Sequence, residues 1–305
     1  MSYSNSIIFG PIPSRRFGIS LGVDLSPSSK QCNFDCLYCE LEGAKTISSM
    51  QTYPSVKDVI TAITDSFKKH PKIDVITLTA NGEPTLYPEL DLLIDEINKI
   101  KGLAKTLILS NGSTIYKKDV YTSLLKLDTV KLSLDCVSVK CFKKLDRNHS
   151  SVDVEKIVPA MIEFSKETKN DFVLEVLFVK DLNDNDEEIN LLYNAIKQIN
   201  PKRVDIGTID RPPAYKVKPV TFECLESIAN SFEGINVNIA YKNRPKQEST
   251  YTEDEIISML QRRPLTKEDI SNMFDANSKI LLNKMLENAK LRLVDSSGVE
   301  FYKIL

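Results

Sequence analysis

The chain has 305 residues and a mass of 34.4 kDa, which suits two domains or one large barrel with an appendage. Forty Lys and Arg against 42 Asp and Glu give a net charge of -2, which excludes a strongly basic nucleic-acid protein held by bulk charge and an acidic disordered tail. The sequence has no apolar run near the roughly 18 residues of a membrane span and no signal-peptide pattern, so we expect a cytoplasmic protein.

Six short apolar runs rich in β-branched residues are predicted to be strands, and each is followed by a helical pattern. They are 19–25, 73–80, 105–110, 129–135, 172–179 and 203–209. Most are apolar on both faces, as in a parallel sheet that helices cover. Six β–α units predict an α/β fold, a partial (βα)6 barrel of the TIM type in which functional side chains follow the C-terminal ends of the strands.

Three cysteines lie within eight residues, at Cys32, Cys36 and Cys39, with the spacing C-x3-C-x2-C. Disulfides would leave one thiol unpaired and need an oxidising compartment. A structural zinc ion requires four protein ligands. The two histidines, His70 and His149, lie far along the chain from this motif and do not pair with it in sequence. An iron–sulfur cluster of the [4Fe-4S] type takes cysteine thiolates, and three cysteines leave one iron open for a substrate or cofactor. The spacing therefore favours an iron–sulfur site over zinc or a disulfide.

The motif, with the aromatic Tyr38 before its last cysteine, resembles the signature of the radical S-adenosylmethionine (radical SAM) superfamily. The flanking segment 13–27 (PSRRFGISLGVDLSP) is similar to the wyosine-synthase-like branch, and the resemblance runs from about Phe9 to Tyr215. It implies a six-stranded barrel core, a [4Fe-4S] cluster on the three cysteines, and S-adenosyl-L-methionine (SAM) as the cofactor on the open iron. It also implies an external electron donor of the flavodoxin or ferredoxin type.

Two loops after predicted strands are similar to SAM-binding loops of this superfamily. Asn81, Gly82 and Glu83 follow the second strand and resemble its Gly-Gly-Glu-Pro loop, with Asn81 in place of the first glycine. The resemblance implies that the backbone and carboxylate of this loop take the amino group of SAM. Asn111 follows the third strand in an Asn-Gly pair, which the resemblance places in the SAM pocket.

The fourth and fifth strands carry three further cofactor candidates. Ser133 and Asp135 end the fourth strand, and the resemblance implies hydrogen bonds from them to the ribose hydroxyls; capping of the next helix is the alternative for Asp135. Glu175 lies in a strand that is otherwise apolar, where a carboxylate is costly unless it is paired. It has either a cofactor or barrel-interior role or a structural ion pair.

Weaker signals leave two interpretations open for each residue. The arginines near the barrel mouth either clamp an anion or form surface ion pairs: Arg15, Arg16 and Arg211. His149, in the Arg147-Asn148-His149 stretch after the fourth strand, is either a proton shuttle or a solvated side chain. The three remaining cysteines either hold an auxiliary cluster or pack as small apolar residues: Cys136, Cys141 and Cys224. The wyosine synthases carry a second cluster on cysteines N-terminal to the main motif, and no cysteine precedes Cys32 here.

The C-terminal pattern predicts a second, smaller unit. Capping residues at Thr252 and Thr266 predict two helices, 277–290 predicts a third, and the final residues predict a β-hairpin, the outline of a winged helix. The predicted division is a barrel at 1–241, a linker at 242–251 and a winged-helix-like domain at 252–305. Its third helix offers four side chains to a nucleic acid: Lys279, Asn283, Lys284 and Lys290. Because the nine Lys and Arg of 246–305 face ten Asp and Glu, protein contact is an equal alternative.

These features lead to a radical SAM enzyme that uses its [4Fe-4S] cluster to cleave SAM reductively to a 5′-deoxyadenosyl radical, which takes a hydrogen atom from the substrate. The substrate is expected to be tRNA or another nucleic acid, with a small molecule or peptide as the alternative. The rival function is a non-enzymatic zinc- or iron–sulfur-binding regulatory protein with a DNA-binding winged helix.

Overall fold

The structure is a computed structural model, and it describes residues 7–14, 17–239, 248–262, 264–296 and 299–305. Its larger sheet has eight strands in sequential order, and every pair is parallel except the first, which is antiparallel. The strands are β1 (Ile8–Ser14), β2 (Gly18–Asp24), β3 (Val75–Thr79), β4 (Lys105–Ser110), β5 (Thr129–Ser133), β6 (Asp171–Phe178), β7 (Arg203–Thr208) and β8 (Val237–Ile239). None of the helices in the described ranges is long and apolar enough to cross a membrane.

Helices connect the successive parallel strands and cover the outer face of the sheet. They are α1 (Val56–Lys69), α2 (Leu90–Ile100), α3 (Lys118–Leu124), α4 (Val139–Cys141), α5 (Ile157–Glu167), α6 (Asp186–Ile199) and α7 (Phe222–Ser231). Side-chain caps set several starts: the hydroxyl of Ser55 accepts from the amide of Asp58, and the amide oxygen of Asn185 accepts from the amide of Glu188. Such caps satisfy backbone amides that would otherwise lack partners at the first turn.

All six predicted strands are present as β2 to β7, within one or two residues of their predicted bounds. The mostly parallel α/β sheet agrees with the expected partial barrel, and β1 and β8 extend it beyond the six predicted strands. β1 contains two prolines and a glycine, which are not typical of a strand. Its strand conformation therefore depends on its antiparallel pairing with β2. β8 has only three residues, too few for a periodic pattern.

The barrel core is continuous from the sheet to the covering helices, and Phe164 on α5 lies at one of its densest points. Its ring is fully buried and meets Tyr121 of α3 and Phe172 of β6 edge-on, at centroid distances of 5.4 and 5.2 Å. We expect Phe164→Ala to lower the free energy of unfolding by about 3–5 kcal/mol, because burial is lost and a cavity remains. Urea unfolding followed by circular dichroism measures this. Leu103→Ala, at a fully exposed side chain, should change the same quantity by less than about 0.5 kcal/mol, and equal effects would contradict this packing.

The C-terminal segment forms a small unit with its own apolar core. Its elements in chain order are α8 (Glu253–Arg262), β9 (Leu265–Thr266), α9 (Lys267–Met273), α10 (Ala276–Glu287), β10 (Leu291–Ser296) and β11 (Val299–Ile304). The three strands pair in the order β10-β11-β9. The predicted caps are present: Thr266 and Asp269 form a reciprocal capping box, and the carboxylate of Glu255 accepts from the amide of Thr252.

Two hydrogen bonds join this unit to the first strand of the barrel. The Tyr251 hydroxyl donates to the carbonyl of Pro11 at 3.0 Å, and the Ser258 hydroxyl donates to the carbonyl of Ile8 at 3.2 Å. Within the predicted linker, residues 240–247 lie outside the described residues, whereas Tyr251 is buried in the C-terminal core. The division at 242–251 stays a prediction.

Candidate active site

The cysteine motif lies in the long loop after β2, and the loop after β3 holds its first half in place. The amide of Gln31 donates to the carbonyl of Asn81 at 2.8 Å, and the amide of Glu83 donates to the carbonyl of Gln31 at 3.0 Å. Gly82 lies between these two bonds with a φ of +139°. A Cβ atom at Gly82 would lie 1.9 Å from the carbonyl oxygen of Gln31, so only glycine allows this approach.

The second half of the cysteine loop is held by the loops after β5 and β7. A π-helical turn at Phe142–Asp146 ends against it, and the amide of Asp35 donates to the carbonyl of Asp146 at 3.0 Å. The amide of Ala214, after β7, donates to the carbonyl of Cys39 at 2.7 Å. Loops from three strands therefore fix the three cysteines at the C-terminal edge of the sheet, as barrel geometry predicts.

The three thiols of the motif are partly buried, and two of them accept hydrogen bonds from nitrogen donors. The amide of Phe34 lies 3.4 Å from Cys32 Sγ, and the ammonium of Lys30 lies 3.5 Å from Cys39 Sγ. Burial raises the pKa of all three thiols, to about 12 for Cys32. A positively charged metal group bound by these cysteines would favour their thiolate forms.

A single metal ion and an iron–sulfur cluster require different spacings of the cysteine sulfurs. A tetrahedral zinc ion with Zn–S bonds of about 2.3 Å brings its sulfurs to about 3.8 Å from one another. Within the part of the chain that the structure describes, one group of three side chains of metal-ligand type has all donor atoms within 4.8 Å, and it is not the motif: Cys136, Cys141 and Glu188, of which the two cysteines form a disulfide. In an iron–sulfur cluster each cysteine of the motif would bind a different iron.

Glu83 is the centre of a buried hydrogen-bond network that reaches the cysteines. Its carboxylate is 1% exposed and accepts from the hydroxyls of Thr85 and Ser110 at 2.6 and 2.7 Å, and from the amide of Asn111 at 2.8 Å. The Asn111 side-chain amide in turn lies 3.8 Å from Cys32 Sγ. The structure thus brings Asn81, Gly82, Glu83 and Asn111 together beside the motif. It turns the Glu83 carboxylate inward, where it organises the loops.

Asp135 also points into the protein. The hydroxyl of Tyr38 donates to one of its carboxylate oxygens, and the amide of Leu177 donates to the other at 2.7 Å. Burial raises the pKa of Asp135. The residue is 4% exposed, so its observed contacts orient the aromatic residue of the motif and join β5 to β6. Ribose binding and helix capping, the two predicted roles of Asp135, stay predictions.

Ser133 and Glu175 are neighbours across β5 and β6, on the inner side of the barrel. Glu175 accepts from the ammonium of Lys131 at 2.5 Å, and this lysine also lies 3.3 Å from the buried carboxylate of Asp205. The predicted ion-pair alternative for Glu175 is therefore present, and its carboxylate is still 43% exposed toward the barrel interior. Both residues stay candidates for cofactor binding.

The arginines near the barrel mouth and His149 differ in their contacts. Arg211 is partly buried and pairs with Glu40 at 2.9 Å, a contact that joins the loop after β7 to the residue after Cys39. The imidazole of His149 lies 2.8 Å from the hydroxyl of Ser151, within its own loop. This contact gives no support to a proton shuttle. The remaining two predicted arginines lie outside the described residues: Arg15 and Arg16.

The three cysteines outside the motif do not lie together in the structure. Cys136 and Cys141 are joined as a buried disulfide, and Cys224 lies apart from them on α7. Cys224 also belongs to no group of three metal-binding side chains in the described ranges. The pairing is local, because Ser138 caps the short α4 helix and turns Cys141 back toward Cys136.

Several site residues escaped the sequence analysis. Asp35 is a buried carboxylate within the motif, and the buried Asp146 lies 3.4 Å from Cys36 Sγ. Tyr215 donates to Asp35 at 2.7 Å, although the two residues are 180 positions apart. Lys131 is a buried lysine in a strand. Lys131 could have been found in the sequence, because a charged residue in an apolar strand is the signal that singled out Glu175. The contacts of Asp35, Asp146 and Tyr215 depend on the tertiary fold and have no such local signal.

Comparisons with known proteins agree with this geometry. The sequence profile of the Radical SAM superfamily matches residues 26–192, so the chain belongs to that superfamily. It is 40% identical over 304 residues to a UPF0026 protein of Helicobacter pylori, covering 97% of both chains. It is 30% identical over 310 residues to a UPF0026 protein of Methanocaldococcus jannaschii, covering 97% of this chain and 95% of that one. The chain therefore belongs to the UPF0026 family within the superfamily.

A solved structure shows the same fold. The crystal structure of a radical SAM methyltransferase from Sphaerobacter thermophilus superimposes with a TM-score of 0.57 and 14% sequence identity. The similarity covers 73% of this chain and 66% of that chain. At this identity the likeness concerns the fold alone. Radical SAM enzymes use a [4Fe-4S] cluster and SAM, and they need an external reductant.

Proposed function

We propose that this protein is a radical SAM enzyme whose cluster is bound by Cys32, Cys36 and Cys39. One observation carries the proposal: three partly buried thiols of one loop lie at the C-terminal edge of the sheet, where the loops after β3, β5 and β7 hold that loop in place. When bound and reduced, the cluster supplies one electron that cleaves SAM to methionine and a 5′-deoxyadenosyl radical, which abstracts a hydrogen atom from the substrate.

The residues around the thiols position this chemistry. Lys30 and the amide of Phe34 donate to the cysteine sulfurs, and such bonds tune the reduction potential of a cluster. Asn111 and the backbone of the Asn81–Gly82 turn lie beside Cys32, where they are placed to hold the polar end of SAM. Ser133 and Glu175 are left for the ribose, because their side chains face the barrel interior.

Metal analysis of protein purified without oxygen separates this function from the zinc-binding regulatory alternative, which superfamily membership does not favour. We expect about four irons per chain, labile sulfide and a broad brown absorbance. About one zinc per chain without sulfide would contradict the proposal. The electron donor we propose is of the flavodoxin or ferredoxin type, and reduction of the reconstituted cluster by either protein tests this.

We propose a nucleic acid, with tRNA first, as the substrate. The similarity of residues 13–27 to the wyosine-synthase-like branch supports it. The C-terminal order helix, strand, helix, helix, hairpin, with β9 paired to β11, supports a winged-helix-like unit. The exposed face of α10 carries Asn283 and Lys284, whereas Lys279 and Lys290 pair with Glu248 and Glu253. The charges of Lys279 and Lys290 are therefore partly compensated. The hypothesis that this unit binds a nucleic acid depends most on Lys284.

Exchange of three lysines tests the C-terminal unit. We expect Lys279, Lys284 and Lys290, all changed to Ala, to weaken tRNA binding and to flatten its salt slope by up to about three units. Filter binding of the reconstituted protein across salt concentrations measures both. The matched control changes three exposed lysines of the barrel helices and loops, Lys57, Lys166 and Lys169, to Ala. Equal losses in the two triple variants would contradict a binding role of α10 and of Lys290, which follows it.

Transfer of deuterium identifies the substrate class directly. If tRNA is the substrate, reaction with tRNA from cells grown in deuterated medium should place deuterium in 5′-deoxyadenosine. Deuterium that comes only from small-molecule or peptide pools would replace the nucleic-acid proposal with its alternative.

A further inference from the structure

A cavity of about 440 Å³ opens beside the cysteine motif, and none of the roles above uses it. Its walls are Asp35, the segment 43–46, Arg147 and Tyr215. The volume lies in the range of small-molecule sites. A Cβ atom at Gly43 would lie 2.3 Å from Tyr215 Oη, so the segment after the cysteines packs directly against the loop after β7.

The interior of this cavity is a built arrangement of charged groups. The carboxylate of Asp35 is 7% exposed and accepts from the Tyr215 hydroxyl at 2.7 Å. Arg147 Nη2 lies 3.0 Å from the same carboxylate, and its guanidinium stacks over the Tyr215 ring at 4.6 Å. Lys30 Nζ lies 3.8 Å away on the other side of Asp35. The Asp35 carboxylate therefore orients the Arg147 guanidinium, and its negative charge is compensated by Arg147 and Lys30.

The remaining charge of the cavity is positive. Arg147 is 41% exposed, and a guanidinium that gives one nitrogen to Asp35 keeps other N–H donors for a second oxyanion. Lys45 is exposed on the wall and has no ion-pair or hydrogen-bond partner among residues that the structure describes. One carboxylate thus faces two lining cations, with Lys30 as a third behind it, and the net field attracts an anion.

The backbone of Arg147 is also special. It adopts the left-handed conformation with a φ of 50°, which is uncommon for a residue other than glycine, and it directly follows the π-helical turn. Both features concentrate at functional sites. The neighbouring Asp146 carbonyl accepts the amide of Asp35, so Arg147 is attached to the loop that carries Cys36.

We propose that this cavity binds a phosphate group of the substrate, through the free N–H donors of Arg147 and the ammonium of Lys45. This inference rests on the proposed function and specifies its substrate as a phosphate-bearing nucleotide or polynucleotide. A guanidinium with free N–H donors together with an exposed ammonium suits the three acceptor oxygens of a phosphate. The acidic surface of an electron donor is the competing occupant, and a recess lined by an oriented arginine favours a single small anionic group over a protein surface.

The test is a binding measurement on anaerobically reconstituted holoenzyme with SAM, by calorimetry with guanosine 5′-monophosphate (GMP) as the probe and guanosine as its uncharged counterpart. Wild-type protein should bind GMP at least about tenfold more tightly than guanosine. Lys45→Glu should weaken GMP binding about tenfold and Lys45→Ala about threefold, since the second removes the charge without reversing it. Lys169→Glu is the matched control at an exposed lysine near the opposite end of β6, and it should change the affinity less than twofold.

Each outcome decides between the alternatives. Equal effects of Lys45→Glu and Lys169→Glu on GMP binding, or equal affinities for GMP and guanosine, overturn the inference. Slower cluster reduction by flavodoxin in Lys45→Glu, with unchanged GMP affinity, assigns the cavity to the electron donor and also overturns it. Protein that binds GMP as stated but forms no 5′-deoxyadenosine contradicts the proposed function alone, whereas the reverse result contradicts this inference alone.

Discussion

Gly82→Ala is expected to abolish assembly of the iron–sulfur cluster. The added Cβ would lie 1.9 Å from the carbonyl oxygen of Gln31, and the φ of +139° at Gly82 is strained for any residue with a side chain. The two backbone bonds at Gln31 would then break, and the cysteine loop would leave the β3 loop. Iron and sulfide content after anaerobic reconstitution should fall to less than about a tenth of the wild-type value.

Gly102→Ala is the matched control for this variant. Gly102 also has a positive φ, of +57°, and a Cβ there would meet no atom within 4 Å. Backbone strain alone costs about 1 kcal/mol, which a folded barrel tolerates. If Gly82→Ala and Gly102→Ala assembled equal amounts of cluster, the close approach at Gln31 would not matter for the site.

The second large effect is expected for Cys36→Ala. The change removes one of three thiolates, and a cluster that has lost a protein ligand is not retained. We expect iron content near background and at least a hundredfold loss of 5′-deoxyadenosine formation, a barrier increase of about 2.7 kcal/mol or more. Iron assay and chromatography of the reaction mixture measure the two quantities.

Cys224→Ala provides the comparison for Cys36→Ala. Cys224 is a free cysteine outside the motif, on α7, and it joins no metal-binding group in the described ranges. Its replacement should leave iron content and 5′-deoxyadenosine formation near wild-type values. Loss of iron in Cys224→Ala to the same extent as in Cys36→Ala would remove the assignment of the motif as the cluster site.

The sequence predicts the parallel part of the fold because its strands are short apolar runs that alternate with helical patterns. That signal is local, and it appears in β2 to β7. β1 lacks it, since its Gly and Pro residues are typical of turns, and its strand conformation depends on pairing with β2. The same limit applies to β8, whose three residues are ordered by β7.

The candidate site also has a part that the sequence predicts and a part that depends on the tertiary fold. The three cysteines are recognisable from spacing, since eight residues of one loop contain them all. The inward orientation of Glu83 depends on Ser110, 27 positions away, and that of Asp135 depends on Leu177, 42 positions away. A motif indicates which residues approach a cofactor, whereas the orientation of each carboxylate depends on donors that are distant in the sequence. The phosphate cavity is a further case, because Tyr215 reaches Asp35 across 180 positions.

Product analysis after incubation of the reconstituted wild-type protein with SAM and dithionite, without oxygen, is the decisive test of the proposed function. This function predicts 5′-deoxyadenosine and methionine in equal amounts, formed only with the reductant and absent from the Cys36→Ala sample. Protein that contains the full cluster and SAM, yet forms no more 5′-deoxyadenosine than Cys36→Ala, would contradict it.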